Sequence, residues 1–268
     1  PIAYGVLVAL FFGSAVLVAN ALAGDPRAVG HPAGALVVFL VFFHLRVFDE
    51  HKDFEGDLKA YPDRVLSRGL ITLKDLKILG ALALLAELGL SAWIGPRALI
   101  AWAVTLVFTL LMAKEFFVGA WLQKRLVLYA ISHNPVVALL AVYCWACTDA
   151  DWSWVFLGYV AMVSIGSLAF EVGRKFRLPS EEVPGVESYT SALGRPRAMG
   201  FLWTLFHLTA VSLGLLLLLM GDIVWIAALP VLPAIPLVLP ASGAKKVELG
   251  ATLVLFLAML VSGIVAWV

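Results

Sequence analysis

Long apolar runs dominate the sequence, and short segments rich in polar and charged residues separate them. A helix needs roughly 20 apolar residues to cross about 30 Å of hydrocarbon, and the runs have about this length. They lack the alternation of a membrane β-strand. The pattern therefore predicts an all-α integral membrane protein with about nine transmembrane helices bundled around a central cavity. The predicted spans are residues 2–23, 33–48, 76–94, 99–112, 126–146, 154–169, 199–219, 223–239 and 249–268.

Composition supports the same class of protein. Hydrophobic residues make up 62% of the 268 residues and charged residues only 14%, with a mean hydropathy of +0.99. Soluble domains carry about 25% charged residues and disordered chains are poor in apolar residues, so both classes are excluded. The formal charge of +1 provides no field that would attract nucleic acid. The lipid bilayer is the expected partner, and nucleic acid is not.

The basic residues predict an orientation. All but two of the 19 Lys and Arg residues fall in the connections after the second, fourth, sixth and eighth spans or at the span ends beside them, the exceptions being Arg27 and Arg97. Basic residues near helix ends mark the cytoplasmic face. We therefore expect a protein of the cell inner membrane with a cytoplasmic N-terminus. Residues 1–268 would form a single polytopic domain, with charged cytoplasmic loops at 49–75 and 171–198.

The first charged segment contains a row of acidic residues. If the second helix continues past its apolar part, one helix face carries Asp49, Asp53 and Asp57, with Glu50 beside them. Like charges at this spacing repel by a few tenths of a kcal/mol per pair, and a cation would hold them together. Carboxylate oxygens without Cys favour Mg²⁺. A solvated loop whose acids pair with nearby basic residues is the open alternative.

Two arginines follow at helical spacing. Arg64 and Arg68 lie four residues apart, and their guanidinium groups could bind phosphate oxygens through paired hydrogen bonds. Anchoring at the cytoplasmic interface explains the same arginines equally simply.

These stretches resemble the first aspartate-rich motif of the UbiA superfamily of intramembrane prenyltransferases, N-D-x-x-D-x-x-x-D followed by R-P-x-x-x-G. Asp53 and Asp57 match the second and third Asp of this motif. Asp49 stands where the family has Asn, Glu50 stands where it has the first Asp, and Val65 stands where it has Pro. The resemblance covers nearly the whole chain in architecture, because that family also has nine helices with acidic loops after the second and sixth. It implies an active site toward the cytoplasmic face, with Mg²⁺ bound by Asp49, Glu50, Asp53 and Asp57, and a catalytic role for Asp53.

The second charged segment departs further from the family. Residues 185–194 resemble the tail G-x-x-T-L-x-x-x-L-G that follows the second motif, but upstream the expected D-x-x-x-D is replaced by Glu171 and Lys175. The resemblance implies that Glu171 is a metal ligand. Lys175, with Arg174, would neutralise phosphate charge where a carboxylate is missing, so Lys175 is predicted to be catalytic. Glu181 and Glu182 are the alternative acidic cluster.

Further basic residues are predicted to bind the diphosphate. Lys124 and Arg125 correspond to a region that is basic in the family, although interfacial anchoring competes with this interpretation. His133, just before Pro135, is predicted to orient an acceptor or act as a base; a helix–helix contact is the alternative. The complete predicted diphosphate set is Arg46, Lys52, Arg64, Arg68, Lys124, Arg125 and Arg174.

The resemblance implies an Mg²⁺-dependent enzyme that ionises an isoprenyl diphosphate and transfers the prenyl group to a lipophilic acceptor. An aromatic acceptor is the commonest case in that family. A membrane terpene cyclase of the same superfamily, acting on the isoprenyl diphosphate alone, is the first alternative. A transporter or lipid-binding protein is the alternative from another class, but transporters usually contain repeated halves, and no internal repeat is visible.

Overall fold

The computed structural model describes residues 2–25, 30–182, 186–221 and 244–267. This part of the chain is all-helical. Two short 3₁₀ turns occur at Glu115–Phe117 and Pro179–Glu181. The α-helices are α1 Ile2–Leu22, α2 Ala33–Ala60, α3 Leu73–Ile94, α4 Pro96–Ala113, α5 Gly119–Leu122, α6 Leu126–His133, α7 Pro135–Ala146, α8 Phe156–Arg174, α9 Tyr189–Leu193, α10 Arg195–Leu219 and α11 Ala244–Trp267.

Within these described residues, seven helical segments are long and apolar enough to cross a membrane. They correspond to seven of the nine predicted spans, with α6 and α7 together forming the one at Leu126–Ala146. The predicted span at 33–48 lies within α2, which is charged from Arg46 onward. The predicted span at 223–239 lies outside the described residues. An all-α integral membrane protein is therefore confirmed.

Helix boundaries follow local chemistry. Gly95 separates α3 from α4 with φ 144°, a conformation that favours glycine because a side chain would clash there. Pro96 then starts α4, where its missing N–H is not needed. The predicted span 126–146 is interrupted before Pro135, because α6 ends at His133 and α7 begins at Pro135. The expected continuation of the second helix is also found, so residues 49–60 are helical and only 61–72 form a connection.

Packing brings distant parts of the chain together. Helix α8 packs against α10 and α11, α2 against α3, and α1 against α11. Large apolar side chains such as Leu85, Ile100 and Val211 remain about two-thirds exposed. Exposed apolar surface of this extent is expected of helices that face lipid.

A polar cluster is buried where α2, α3 and α4 meet. Glu87 accepts hydrogen bonds from His44 Nδ1 at 2.7 Å and from Trp102 Nε1 at 2.9 Å, and His44 Nε2 lies 3.2 Å from Thr109 Oγ1. A buried charge is costly unless it is paired. These bonds therefore fix α2 against α3 and α4 and determine which face of α2 is turned toward the bundle interior.

Candidate active site

A cavity of about 610 Å³ lies between the bundled helices. Its walls come from α1, α2, α4, α6, α7, α8 and α11. The polar and charged lining residues are Arg46, Asp49, Lys52, Asp53, Asp57, Arg64, Tyr129, His133, Asn134, Ser167, Glu171, Arg174 and Lys175. The two charged segments, separated by more than a hundred residues in sequence, therefore face one another across a single cavity.

The cavity wall has an apolar part and a charged part. On α2, Phe42 and Leu45 precede the charged residues that start at Arg46. On α8, Val163 and Leu168 precede Glu171 in the same way. Both helices therefore change from apolar to charged lining toward their C-termini. This arrangement suits a ligand with an anionic head and a long apolar tail.

The acidic face of α2 includes one carboxylate without a partner. Asp49 Oδ1 lies 3.4 Å from Lys52 Nζ, and Asp57 forms an ion pair with Arg64. Asp53 makes no hydrogen bond or ion pair with any residue that the structure describes. Partial burial, together with the charges of Asp49 and Asp57, raises the pKa of the Asp53 carboxyl, although the side chain remains exposed and Lys52 and Lys175 partly oppose the change.

The predicted ligand set is not gathered into one cluster. Among the described residues, no three or more His, Cys, Asp and Glu side chains lie close enough together to hold a metal ion. Asp49 and Asp57 are eight residues apart, about 12 Å along a helix axis. Glu50 does not line the cavity and instead pairs with Arg46 and Arg64. It therefore holds Arg64 in place at the cavity rim.

The facing segment on α8 is already neutralised. Glu171 Oε2 accepts a hydrogen bond from Arg174 Nη2 at 2.7 Å, and Glu171 Oε1 lies 2.8 Å from Lys175 Nζ. Helical spacing explains both pairs, because residues three and four apart share a face. Arg174 and Lys175 therefore occupy the oxygens that Glu171 would offer to a metal ion. That Glu171 is a metal ligand stays a prediction.

Lys52 is held by side chains from three elements. Its ammonium donates to Tyr129 Oη at 2.6 Å and lies 3.9 Å from Glu115 Oε1, in addition to its contact with Asp49. Burial alone would lower the pKa of Lys52, but the bond to Tyr129 and the attraction of Asp49 and Asp53 outweigh it and raise the pKa. Lys52 is therefore a permanently charged group on the cavity wall.

Glu115 is a site residue that has no predicted role in the sequence. It is 8% exposed and accepts two hydrogen bonds from Gln123 Nε2. It lies in a left-handed turn in which Glu115, Phe116 and Phe117 have φ of 48°, 52° and 61°. Such conformations cost about 1–3 kcal/mol per residue outside glycine and occur preferentially at functional sites. No sequence signal predicts this turn, because it contains no glycine.

A second polar group lines the inner wall near the break between α6 and α7. His133 Nδ1 donates to the carbonyl oxygen of Tyr129 at 2.8 Å. Asn134 Nδ2 donates to the carbonyl oxygen of Ser164 at 2.8 Å, and its Oδ1 accepts from Ser167 Oγ at 2.7 Å. Asn134 and Ser167 therefore join α8 to the broken helix, and the break places His133 at the cavity.

Three predicted residues lie away from the cavity. Arg68, Lys124 and Arg125 are exposed and do not line it. Arg125 instead packs its guanidinium 4.3 Å from the centre of the Trp121 ring and donates to the Trp121 carbonyl oxygen. Interfacial anchoring, the alternative from sequence, fits these positions.

Two solved structures are similar to this chain over nearly its full length. One, of digeranylgeranylglyceryl phosphate synthase, has a TM-score of 0.60 and 20% identity, and the match covers 99% of this chain and 98% of that one. The other is the apo structure of a UbiA homolog from Aeropyrum pernix K1, with a TM-score of 0.63, 16% identity, and coverage of 94% and 97%.

These similarities define the class of fold. The chain has a UbiA-like fold, so the resemblance predicted from sequence is confirmed at the level of structure. No protein-family model matches the sequence, and no curated protein matches it significantly. At identities of 20% and 16%, the fold is shared and the chemistry has to be argued from the site itself.

Proposed function

We propose that this protein is an Mg²⁺-dependent intramembrane prenyltransferase that ionises an isoprenyl diphosphate and transfers the prenyl group to a lipophilic acceptor. One observation carries the proposal: the acidic face of α2 and the cations of α8 oppose each other across one cavity, and another part of its wall is apolar. A diphosphate with an apolar tail matches these three surfaces. The similar folds of the two solved structures support the same class of chemistry.

The described residues fit a magnesium ion on the α2 side of the cavity. Asp53 lacks a hydrogen-bond or ion-pair partner among the described residues, and the nearby charges of Asp49 and Asp57 add to partial burial in raising its pKa. We propose that Asp53, with Asp49 or Asp57, would hold Mg²⁺, since this ion needs only one or two carboxylates besides substrate oxygens. Bound there, Mg²⁺ would stabilise the charge that develops on the leaving diphosphate.

The basic residues of the cavity supply the remaining stabilisation. Lys175 and Arg174 from α8, and Lys52 from α2, would bind diphosphate oxygens as the bond to the allylic carbon breaks. Cations that the protein already holds in place stabilise such charge better than bulk solvent, which has to reorient, does. We expect Arg46 and Arg64 to act at the rim, where each is also paired with Glu50.

The apolar wall would hold the prenyl chain and shield its carbocation. Phe11 and Leu7 from α1, Val163 from α8 and Leu255 from α11 line this part of the cavity. Exclusion of water matters here because water would otherwise capture the cation.

We further propose that the chain crosses the membrane nine times and that the cavity mouth is cytoplasmic. Helix α2 would add one crossing to the seven helices above, and the ninth rests on the apolar sequence of residues 223–239 alone. The rim of the cavity and the connections after α2 and α8 lie at one end of the bundle, while Arg97 and Asp149 line a separate cavity.

Cysteine labelling tests this topology. Single cysteines at Asp63 and Glu182 should be labelled from the cytoplasmic side only, and those at Arg97 and Asp149 from the other side only. Labelling of the first two from opposite sides would refute this topology.

A donor assay tests the proposed function. Purified protein would be incubated with Mg²⁺ and isoprenyl diphosphates of increasing length, with and without lipophilic acceptors, and the products identified by mass. Mg²⁺-dependent diphosphate release that requires an acceptor is the expected result. Cyclic hydrocarbons or alcohols formed without an acceptor would instead indicate the terpene cyclase. Absence of Mg²⁺-dependent donor binding and turnover would refute both.

A further inference from the structure

A second cavity lies at the other end of the bundle from the candidate active site. It has a volume of about 620 Å³ and is lined by residues where α4 begins and α7 ends, among them Arg97 and Asp149. The opposite ends of the same two helices line the candidate active site, through Met112 of α4 and Val136 of α7. Helices α4 and α7 therefore run antiparallel between two separate cavities, and no residue lines both.

An apolar groove of about 320 Å³ continues from this second cavity between α4 and α7. Arg97 and Ala146 line both spaces. The other residues of the groove are Ile100, Ala101 and Val104 on α4, and Leu139, Val142 and Trp145 on α7. On α4 the groove covers seven residues, about 10 Å of helix. Ile100 and Val104 are 65% and 51% exposed, so the groove lies on the outer surface, where the helices face lipid.

Arg97 lies where the charged cavity meets the apolar groove. Its guanidinium is 5.7 Å from the centre of the Trp145 ring, and its Nη1 donates to the Ala150 carbonyl oxygen at 3.1 Å. Its ion pair with Asp151 is loose, since the N···O distance is 3.9 Å and the Asp151 side chain is 97% exposed. Pairs of this kind contribute little. Because a guanidinium has five N–H donors, Arg97 retains donors for paired hydrogen bonds to a phosphate group.

Asp149 supplies a negative charge to the same cavity. Its side chain is exposed and lines the cavity, and it forms no ion pair with any residue that the structure describes. An ammonium group inside the cavity would pair with this carboxylate while a phosphate binds Arg97. The two side chains therefore complement a head group that carries both charges, and they do so better than they complement a purely anionic one.

We infer that the cavity and the groove together bind one phospholipid with a phosphoethanolamine head group. Its phosphate binds Arg97, its ammonium binds Asp149, and one acyl chain lies in the groove along α4 and α7. The order of these surfaces carries the inference: the charges lie at the helix ends, and the groove runs from there toward the middle of the helices, which is how a lipid lies in its leaflet. The inference is independent of the proposed function, because no residue of the candidate active site takes part.

Lipid selectivity tests the inference on the unaltered protein. Delipidated protein in detergent would be titrated with phosphatidylethanolamine, phosphatidylglycerol and diacylglycerol of identical acyl chains, and bound lipid counted by native mass spectrometry. We expect one phosphatidylethanolamine per chain, bound about two- to fivefold more tightly than phosphatidylglycerol, which is the effect of an exposed ion pair. Diacylglycerol should bind most weakly. Equal binding of the three would mean unselective surface lipid and overturn the inference, and so would soluble phosphoethanolamine that binds as tightly as the lipid.

Variants of the two charged residues test the head-group site. Arg97→Gln can still donate to the Ala150 carbonyl oxygen but loses the charge, and we expect it to weaken phosphatidylethanolamine binding by about tenfold or more. Asp149→Asn should remove the preference over phosphatidylglycerol. Arg125→Gln is the control, because Arg125 also packs against a tryptophan, at 4.3 Å, but lines neither space. Equal binding by the Arg97 and Arg125 variants would overturn the inference.

Two valines of α4 test the groove. Val104 lines it, whereas Val107, which is 59% exposed, does not. We expect Val104→Trp to fill the groove and weaken phosphatidylethanolamine binding by about tenfold, because methylene groups of the acyl chain lose their burial, and Val107→Trp to change it by less than about twofold. Equal effects of the two variants would overturn the inference. A wild-type dimer that Val104→Trp converts to a monomer would identify the groove as an interface between copies and would also overturn it.

Discussion

The two charged walls of the cavity use the same helical spacing for opposite purposes. On α2, acids follow acids four residues apart, and Asp53 remains without a partner. On α8, one acid is followed by cations three and four residues later, and both oxygens of Glu171 are paired. One wall is therefore open to a cation from outside, whereas the other carries its own. Under the proposed function, the chain would combine a half-site that binds Mg²⁺ with one in which Lys175 replaces the carboxylate that the family pattern predicts.

The strongest test of this comparison is on the acidic wall. Asp53→Asn removes the unpaired charge while keeping the shape, so we expect turnover to fall by at least about 1,000-fold, or about 4 kcal/mol. The variant should remain folded, because Asp53 has no hydrogen-bond or ion-pair partner to lose among the residues that the structure describes. Turnover and Mg²⁺ affinity are the measurements. Glu55→Gln is the control, since Glu55 lies on the same helix but does not line the cavity. Equal activity in the two variants would argue against Asp53 as a ligand of Mg²⁺.

The cationic wall should give a smaller effect. Lys175→Ala removes one cation from the proposed diphosphate site, which we expect to cost about 2–4 kcal/mol, or about 30- to 1,000-fold in rate. Lys175→Asp restores a carboxylate four residues after Glu171 and should steepen the dependence of rate on Mg²⁺. If Lys175→Ala remains fully active at both limiting and saturating donor, the lysine is only an interfacial anchor and the two walls are not complementary.

A pH titration distinguishes the walls by a different property. The pKa of Asp53 is raised above the usual 3.8. In the metal-free protein, the ionisation of Asp53 therefore lowers the free energy of unfolding as the pH rises from 3.8 toward the raised pKa. Mg²⁺ needs the ionised form. We therefore expect Mg²⁺ affinity to fall with decreasing pH, by up to about tenfold per pH unit, and to begin falling at a higher pH than an ordinary aspartate would cause.

Calorimetric titration with Mg²⁺ between neutral and acid pH measures this effect. Asp53→Asn should remove the pH dependence together with the affinity. A wild-type affinity that stays constant down to the ordinary pKa of aspartate would contradict the uncompensated charge on this wall.

The smallest expected effect concerns basic residues outside both walls. Lys124→Ala and Arg125→Ala should change donor affinity and turnover by less than about twofold, because exposed interfacial charges contribute little. Comparison with Lys175→Ala under identical conditions tests whether position in the cavity, and not basic charge alone, determines function. A loss in Lys124→Ala as large as that in Lys175→Ala would mean that the diphosphate extends beyond the cavity described here.

Residues missed in the sequence share one property: their neighbours come from other helices. Glu115 reaches the site through a left-handed turn without glycine, and Ser167 reaches it by bonding to Asn134. The buried Glu87 is visible in sequence only as a lone acid within an apolar span, and its bonds to His44 and Trp102 depend on how three helices pack. Such placements follow from interhelical contacts, which the spacing of residues along one helix does not specify.

The sequence alone determined that the chain is a bundle of apolar helices with charge concentrated at two segments. Hydrophobic length and helical periodicity are properties of a single segment, so they can be read without neighbours. Only the tertiary structure decided that the segments at α2 and α8 share one cavity, that Glu50 and Arg125 turn away from it, and that Asp53 stays unpaired while Glu171 does not. Those outcomes depend on which side chains from other helices come within hydrogen-bonding distance, and that is set by packing.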